Sequence, residues 1–175
     1  MTRAIYPATF DPITLGHVDI ASRAATFFSE LVVAVYDRPL KNLLFSPEER
    51  WRMTREALAH LSNVRIERYI GLTVEFARQQ QAGVIVRGLR VLSDFEWEFH
   101  LALTKRNLAP EIDTISLMAS QNNSILSSSV VKEIAFAGGD TSELVPPHVD
   151  AALRAKISEP GGNNDDKVKL VSLRD

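Results

Sequence analysis

The 175-residue chain contains no cysteine. It therefore has neither a disulfide framework nor a thiolate metal site, a composition that fits a reducing compartment. The four histidines, His17, His60, His100 and His148, are scattered and form no closely spaced ligand pair. That spacing argues against a histidine-built zinc cage, and no residue is assigned as a metal ligand. Excess positive charge is missing too: 20 Lys and Arg stand against 22 Asp and Glu, for a formal charge of −2 and a pI near 6.1. With no global positive field, nucleic acid and anionic membrane are not expected partners. No apolar run is long enough to span a bilayer, and no apolar leader follows Met1, so a soluble, cytoplasmic protein is expected. GxGxxG after the first strand, GxxxxGK[ST] and GxSxG are also absent. Those absences remove the dinucleotide fingerprint, the Walker loop and the hydrolase elbow.

What is present alternates. "RAIYPAT", "LVVAVY", "NVRIERY", "GVIVRG" and "DTISLM" read as five short β-branched strands, with longer amphipathic segments between them. Ser46-Pro47-Glu48-Glu49 combines a cap, a proline at the first helical position and a glutamate three after the cap, and so predicts a helix to about Leu61. Ser93 with Glu96 predicts a second capping box, opening a helix at Asp94 whose Phe95, Trp97 and Phe99 are expected to pack. The serines of "SSSVVKEIAFAGG" are expected to cap the start of another helix and Gly138 or Gly139 its end, and a last helix follows Pro146-Pro147. The fold class is α/β: a single-domain, doubly wound, five-stranded parallel sheet over residues 1–157. Residues 158–175, rich in Gly, Asn and Asp, read as a flexible tail.

In open parallel sheets ligands bind beyond the carboxyl ends of the strands. There this chain places Thr9, Phe10 and Gly16-His17, then Lys41, then Arg87, Gly88 and Arg90, and finally "NSILSSS". Helix N-termini offer unpaired N–H donors, arginine a bidentate fork and lysine a mobile point charge, all suited to phosphate. Each signal also has a plain structural reading. Gly16-His17 can be a helix start, Lys41 a solvated loop residue, the serines a cap, and Asp94 with Glu98 a solvated acidic face. Their convergence on one sheet edge favours a polyphosphate ligand.

"YPATFDPITLGH", the lysine of "RPLKN", "VRGLRVLSDFEWE" and "SILSSSVVKE" together resemble the bacterial phosphopantetheine adenylyltransferases, over about residues 3–157. That family lies within the nucleotidylyltransferase superfamily, and its Rossmann-like fold is implied here. The resemblance implies transfer of the adenylyl group of ATP to 4′-phosphopantetheine, giving dephospho-coenzyme A and pyrophosphate, the penultimate step of coenzyme A synthesis. Magnesium would be bound mainly through the ATP phosphates. His17, Lys41 and Arg90 would be catalytic. ATP would be held by Thr9, Phe10, His17, Gly88, Leu89, Arg90, Glu98, Asn123, Ser124, Ile125, Leu126, Ser127, Ser128 and Ser129, and the acceptor by Thr9, Lys41, Thr73 and Arg87. A homohexamer, a dimer of trimers, with coenzyme A as a feedback ligand, completes what the family implies. Ala8, Lys105, Asn123 and Leu126 depart from the family pattern, which has glycine, asparagine, an aromatic and isoleucine there. Two readings stand beside this one: a related nucleotidylyltransferase with another phosphate acceptor, and a non-catalytic nucleotide-binding assembly protein.

Overall fold

The computed structural model describes residues 2–39, 43–90, 92–123 and 126–158. Apart from Ser158, the tail expected over 158–175 lies outside them. The strands are β1 (Arg3–Ala8), β2 (Glu30–Tyr36), β3 (Val64–Tyr69), β4 (Val84–Leu89) and β5 (Asp113–Met118). Between and after them run α1 (Leu15–Phe27), α2 (Pro47–Ala57), α3 (Thr73–Gln79), α4 (Leu92–Leu108), α5 (Ser128–Phe136) and α6 (Pro147–Ser158). All neighbouring strands pair in parallel, in the order β3-β2-β1-β4-β5.

Burial on both faces explains the unbroken apolar run of β2. Leu31, Val33 and Val35 join one core with Ile20, Ala21 and Ala24 of α1, Met53 of α2, Val131 of α5 and Leu153 of α6. Val32 and Ala34, one residue out of phase, join a second core with Val74, Phe76 and Ala77 of α3. Because β1 leads to β2 and β3 on one side while β4 and β5 lie on the other, chain direction across the sheet reverses between β1 and β4. A crevice opens there, beyond the strand ends.

Local signals account for most boundaries. At α2, the Ser46 hydroxyl accepts the Glu49 N–H at 3.2 Å and the Glu49 carboxylate accepts the Ser46 N–H at 2.7 Å, with Pro47 first in the helix. At the end of α5, Gly138 takes φ 77°, and the N–H groups of Gly138 and Gly139 donate to the carbonyls of Ala135 and Ile134, closing a Schellman motif.

Three expectations are corrected. The second helix stops at Ala57, not near Leu61: Leu58 leaves helical geometry at φ −106° and ψ 9°, and Ala59 and Leu61 turn back onto carbonyls three residues earlier. The fourth helix begins at Leu92, so Ser93 lies inside its first turn and is not its cap. Phe95 and Phe99 do not pack into a core. They stack on each other, centroids 6.0 Å apart, on an exposed face.

Candidate active site

At the reversal point lies a cleft of about 450 Å³. Its floor comes from β1 and β4, and its far wall from the segment before α5. Thr9, Phe10, His17, Arg87, Gly88, Arg90, Glu98, Asn123, Leu126, Ser127, Ser128 and Ser129 all line it. Residues as far apart in sequence as Thr9 and Ser129 thus meet in one hollow. Leu89 stands just outside the lining, its carbonyl accepting the Ala119 N–H at 2.7 Å. Thr73 sits behind the wall, its hydroxyl 3.1 Å from the phenol of Tyr69, which does line the cleft. Lys41, Ser124 and Ile125 lie outside the described residues.

The mouth of α1 is built around Thr14. Its hydroxyl accepts the His17 N–H at 3.4 Å, while its own N–H donates to His17 Nδ1 at 3.0 Å. Only a lone pair can take that N–H, so in the neutral ring Nε2 carries the proton. Phe10 meets the imidazole edge-on, with centroids 5.1 Å apart, and Tyr6 meets Phe10 at 5.6 Å. Burial pushes the Tyr6 hydroxyl well above its ordinary range, so it stays a neutral phenol beneath the site.

The three serines divide their work. Ser127 caps α5, accepting the Val130 N–H at 3.1 Å. Ser128 donates to the Pro12 carbonyl at 2.8 Å and so ties α5 to the turn after β1. Their backbone amides, with that of Ser129, open the helix and give it a partial positive end. Arg90 donates to the Leu126 carbonyl at 3.2 Å, which draws its guanidinium across to the same mouth.

Arg87 and Glu98, expected to serve different ligands, are bound to each other. Arg87 Nε and Nη2 donate to the two Glu98 oxygens at 2.8 and 2.5 Å, and Nη1 donates to the Pro7 carbonyl at 2.6 Å. Burial works against the guanidinium charge, but the Glu98 hydrogen bonds and charge outweigh it and the net shift is upward. The pair is a fixed strut between β4 and α4, and it offsets charge locally.

Behind the cleft, Asp11 and Lys132 form a nearly fully buried ion pair at 2.7 Å. Asp11 also accepts the N–H groups of Leu44 and Phe45 at 3.1 and 2.9 Å. Thr14, Tyr36 and Tyr69 were not singled out from sequence as site residues. Thr14 had a readable signal, a threonine three before the histidine at a helix start. The tyrosines had none, since the ends of two strands bring them in.

Lys105, on α4, has its pKa lowered to about 8, first by burial and then by the nearby Arg87 charge, with Glu98 opposing. The folded protein thus releases this proton near pH 8 and the unfolded chain near 10.5. Stability should rise with pH across that window, and the penalty is fully present below it. Lys105→Met should be more stable than wild type at pH 7, and the gap should close by about pH 10.5. Thermal melts of both proteins with equal slopes across this window would refute the assignment.

The fold, with its phosphate-suited crevice, is that of a nucleotidylyltransferase, and the family model described as cytidylyltransferase-like matches residues 5–134. A solved structure described as a nicotinate-nucleotide adenylyltransferase from Vibrio parahaemolyticus superposes with a TM-score of 0.66 at 17% identity, covering 88% of this chain and 99% of that one. It attests the fold alone. A phosphopantetheine adenylyltransferase of Herpetosiphon aurantiacus is 54% identical over 154 residues, covering 88% of this chain and 93% of its own. One from Heliobacterium modesticaldum is 50% identical over 159 residues, covering 91% and 95%. The chain belongs to the phosphopantetheine adenylyltransferase family.

Proposed function

We propose that the chain transfers the adenylyl group of ATP to 4′-phosphopantetheine, releasing pyrophosphate and dephospho-coenzyme A in coenzyme A synthesis. The observation that carries this reading is the meeting of His17, Arg90 and the mouth of α5 around one cleft. The acceptor is a phosphate monoester with a second pKa near 6, already ionised at neutral pH, so no general base is needed. What the reaction needs is in-line placement and positive charge where negative charge accumulates. In this reading His17 donates from Nε2 to an oxygen of the α-phosphate, and Arg90 and the amides of Ser127–Ser129 hold the β- and γ-phosphates. Thr9, Phe10, Gly88, Leu89, Glu98 and the segment Asn123 to Leu126 shape the nucleotide pocket. Thr9, Lys41 and Arg87 hold the acceptor, Arg87 by exchanging part of its grip on Glu98 for phosphate, and Thr73 acts on it through the Tyr69 phenol. Magnesium is assigned to the ATP phosphates. Glu98, the one carboxylate lining the cleft among the described residues, is engaged by Arg87 and fits no acidic cage. Bound with the nucleotide, the ion would supply charge neutralisation.

We place the enzyme in the cytoplasm; no described helix is long and apolar enough to cross a membrane. We also assign it a homohexamer and a feedback role for coenzyme A. The exposed apolar surface of α4 and β5, with Phe95, Phe99, Leu103, Ile115 and Met118, supports self-association. Incubation with ATP, magnesium and in turn phosphopantetheine, nicotinate mononucleotide or a polyol phosphate tests the reading. Pyrophosphate is expected with phosphopantetheine, and release only with another acceptor, or none at all, would refute it.

A further inference from the structure

Arg50, on α2, is fully buried and does not line the cleft. All four of its hydrogen-bond acceptors are backbone carbonyls. Nη1 donates to Thr9 at 2.6 Å and to Tyr36 at 2.7 Å, Nη2 to Asp37 at 3.3 Å and Nε to Phe45 at 3.2 Å. The nearby carboxylates are committed elsewhere, Asp37 to Arg68 and Asp11 to Lys132. A buried guanidinium bonded to carbonyls alone holds by converging dipoles, and each carbonyl it leaves would be stranded without a donor.

The place of those carbonyls gives the contact its meaning. The β1–β2 ladder ends at the pair Ala8 and Val35. Thr9 follows β1 directly and Tyr36 is the last residue of β2, and both line the cleft. Where the sheet's own hydrogen bonds stop, one Arg50 nitrogen bridges the two strands. Thr9 leads into Phe10, which takes φ 52°, a left-handed conformation costly for a bulky side chain, and Phe10 contacts the His17 ring edge-on at 5.1 Å. Held at Thr9 by Arg50 and at Asp11 by Lys132, the turn has little freedom to relax.

We infer that Arg50 is a positioning residue for the transfer: by clamping the Thr9 and Tyr36 carbonyls at the strand ends, it fixes the turn that seats Phe10 against His17. The inference rests on the function proposed above. It differs from a purely structural role because it predicts a loss in turnover in protein that remains folded. A displacement of about 1 Å in a reacting group can cost on the order of a hundredfold in rate, whereas ground-state binding of ATP through several other groups is much less sensitive.

The test uses the full-length chain carrying Arg50→Lys or Arg50→Met, with pyrophosphate release, titrations of ATP and acceptor, and thermal melts run in parallel. Lysine keeps the charge and one donor group able to bridge Thr9 and Tyr36; methionine keeps neither. Turnover by Arg50→Lys should fall roughly tenfold and by Arg50→Met roughly a hundredfold, with KM for ATP nearly unchanged in both. Should the methionine variant not fold, the lysine variant decides alone. Arg50→Lys with wild-type kcat, even at a lowered Tm, would overturn the inference and leave the proposed function standing. So would parallel losses in kcat and ATP affinity. Wild-type protein that releases no pyrophosphate with phosphopantetheine would sink the proposed function, and the inference with it.

Discussion

Replacing His17 with alanine should lower kcat by on the order of a hundredfold or more while leaving ATP affinity nearly intact. The reason lies in when the contact matters. Thr14 holds Nδ1 as an acceptor, which leaves the ring proton on Nε2 of a side chain that lines the cleft. A donor fixed in advance costs nothing to reorganise at the moment of reaction and gains strength as charge builds on the α-phosphate. In the proposed ground state Arg90 and the α5 amides hold the triphosphate as well, so one lost donor should be poorly felt. Each tenfold in rate corresponds to about 1.36 kcal/mol, and a charged transition-state contact readily supplies two such factors. Single-turnover rates together with ATP titration make the measurement, and equal losses in both would show that His17 serves binding and not the chemical step.

The Lys132→Met variant should be strongly destabilised, because it leaves the Asp11 carboxylate, 2% exposed, without its cation. Breaking a buried ion pair from one side costs about 3–5 kcal/mol. For a chain of this size that corresponds to a fall in Tm on the order of 10 °C. The double variant Asp11→Asn, Lys132→Met should recover part of the loss, since no charge is then stranded. Recovery stays partial because the carboxylate also accepts the N–H groups of Leu44 and Phe45, and an asparagine amide would turn a donor toward one of them. Denaturant melts of the two single variants and the double give the coupling directly. Additive effects would mean that the pair does no joint work.

Much of this molecule is readable one segment at a time. The described strands and α-helices fall close to where β-branched runs and amphipathic periods put them, and Ser46 with Glu49 and Gly138 mark ends that the structure keeps. Local pattern failed at the end of α2 and on the outer face of α4. The second helix gives way at Leu58 to three-residue turns, and Phe95 and Phe99 face outward although their hydrophobicity alone predicts burial. The site was legible as a set of groups suited to phosphate, because glycine, serine, histidine and arginine at strand ends carry a chemical meaning wherever they occur. The resemblance gave those groups roles.

The sequence alone determined the α/β alternation, the caps of α2 and α5, the absence of metal-binding thiolates and the residues that could meet a phosphate, all properties of neighbours along the chain. The tertiary structure decided the order β3-β2-β1-β4-β5, and with it the crevice between β1 and β4. It also decided that Arg87 binds Glu98, that Lys132 reaches Asp11 across 121 positions and that Arg50 spans two strand ends. Such pairings depend on how whole faces pack, and a short-range pattern of apolar and polar residues carries no record of which distant partner will fill the space.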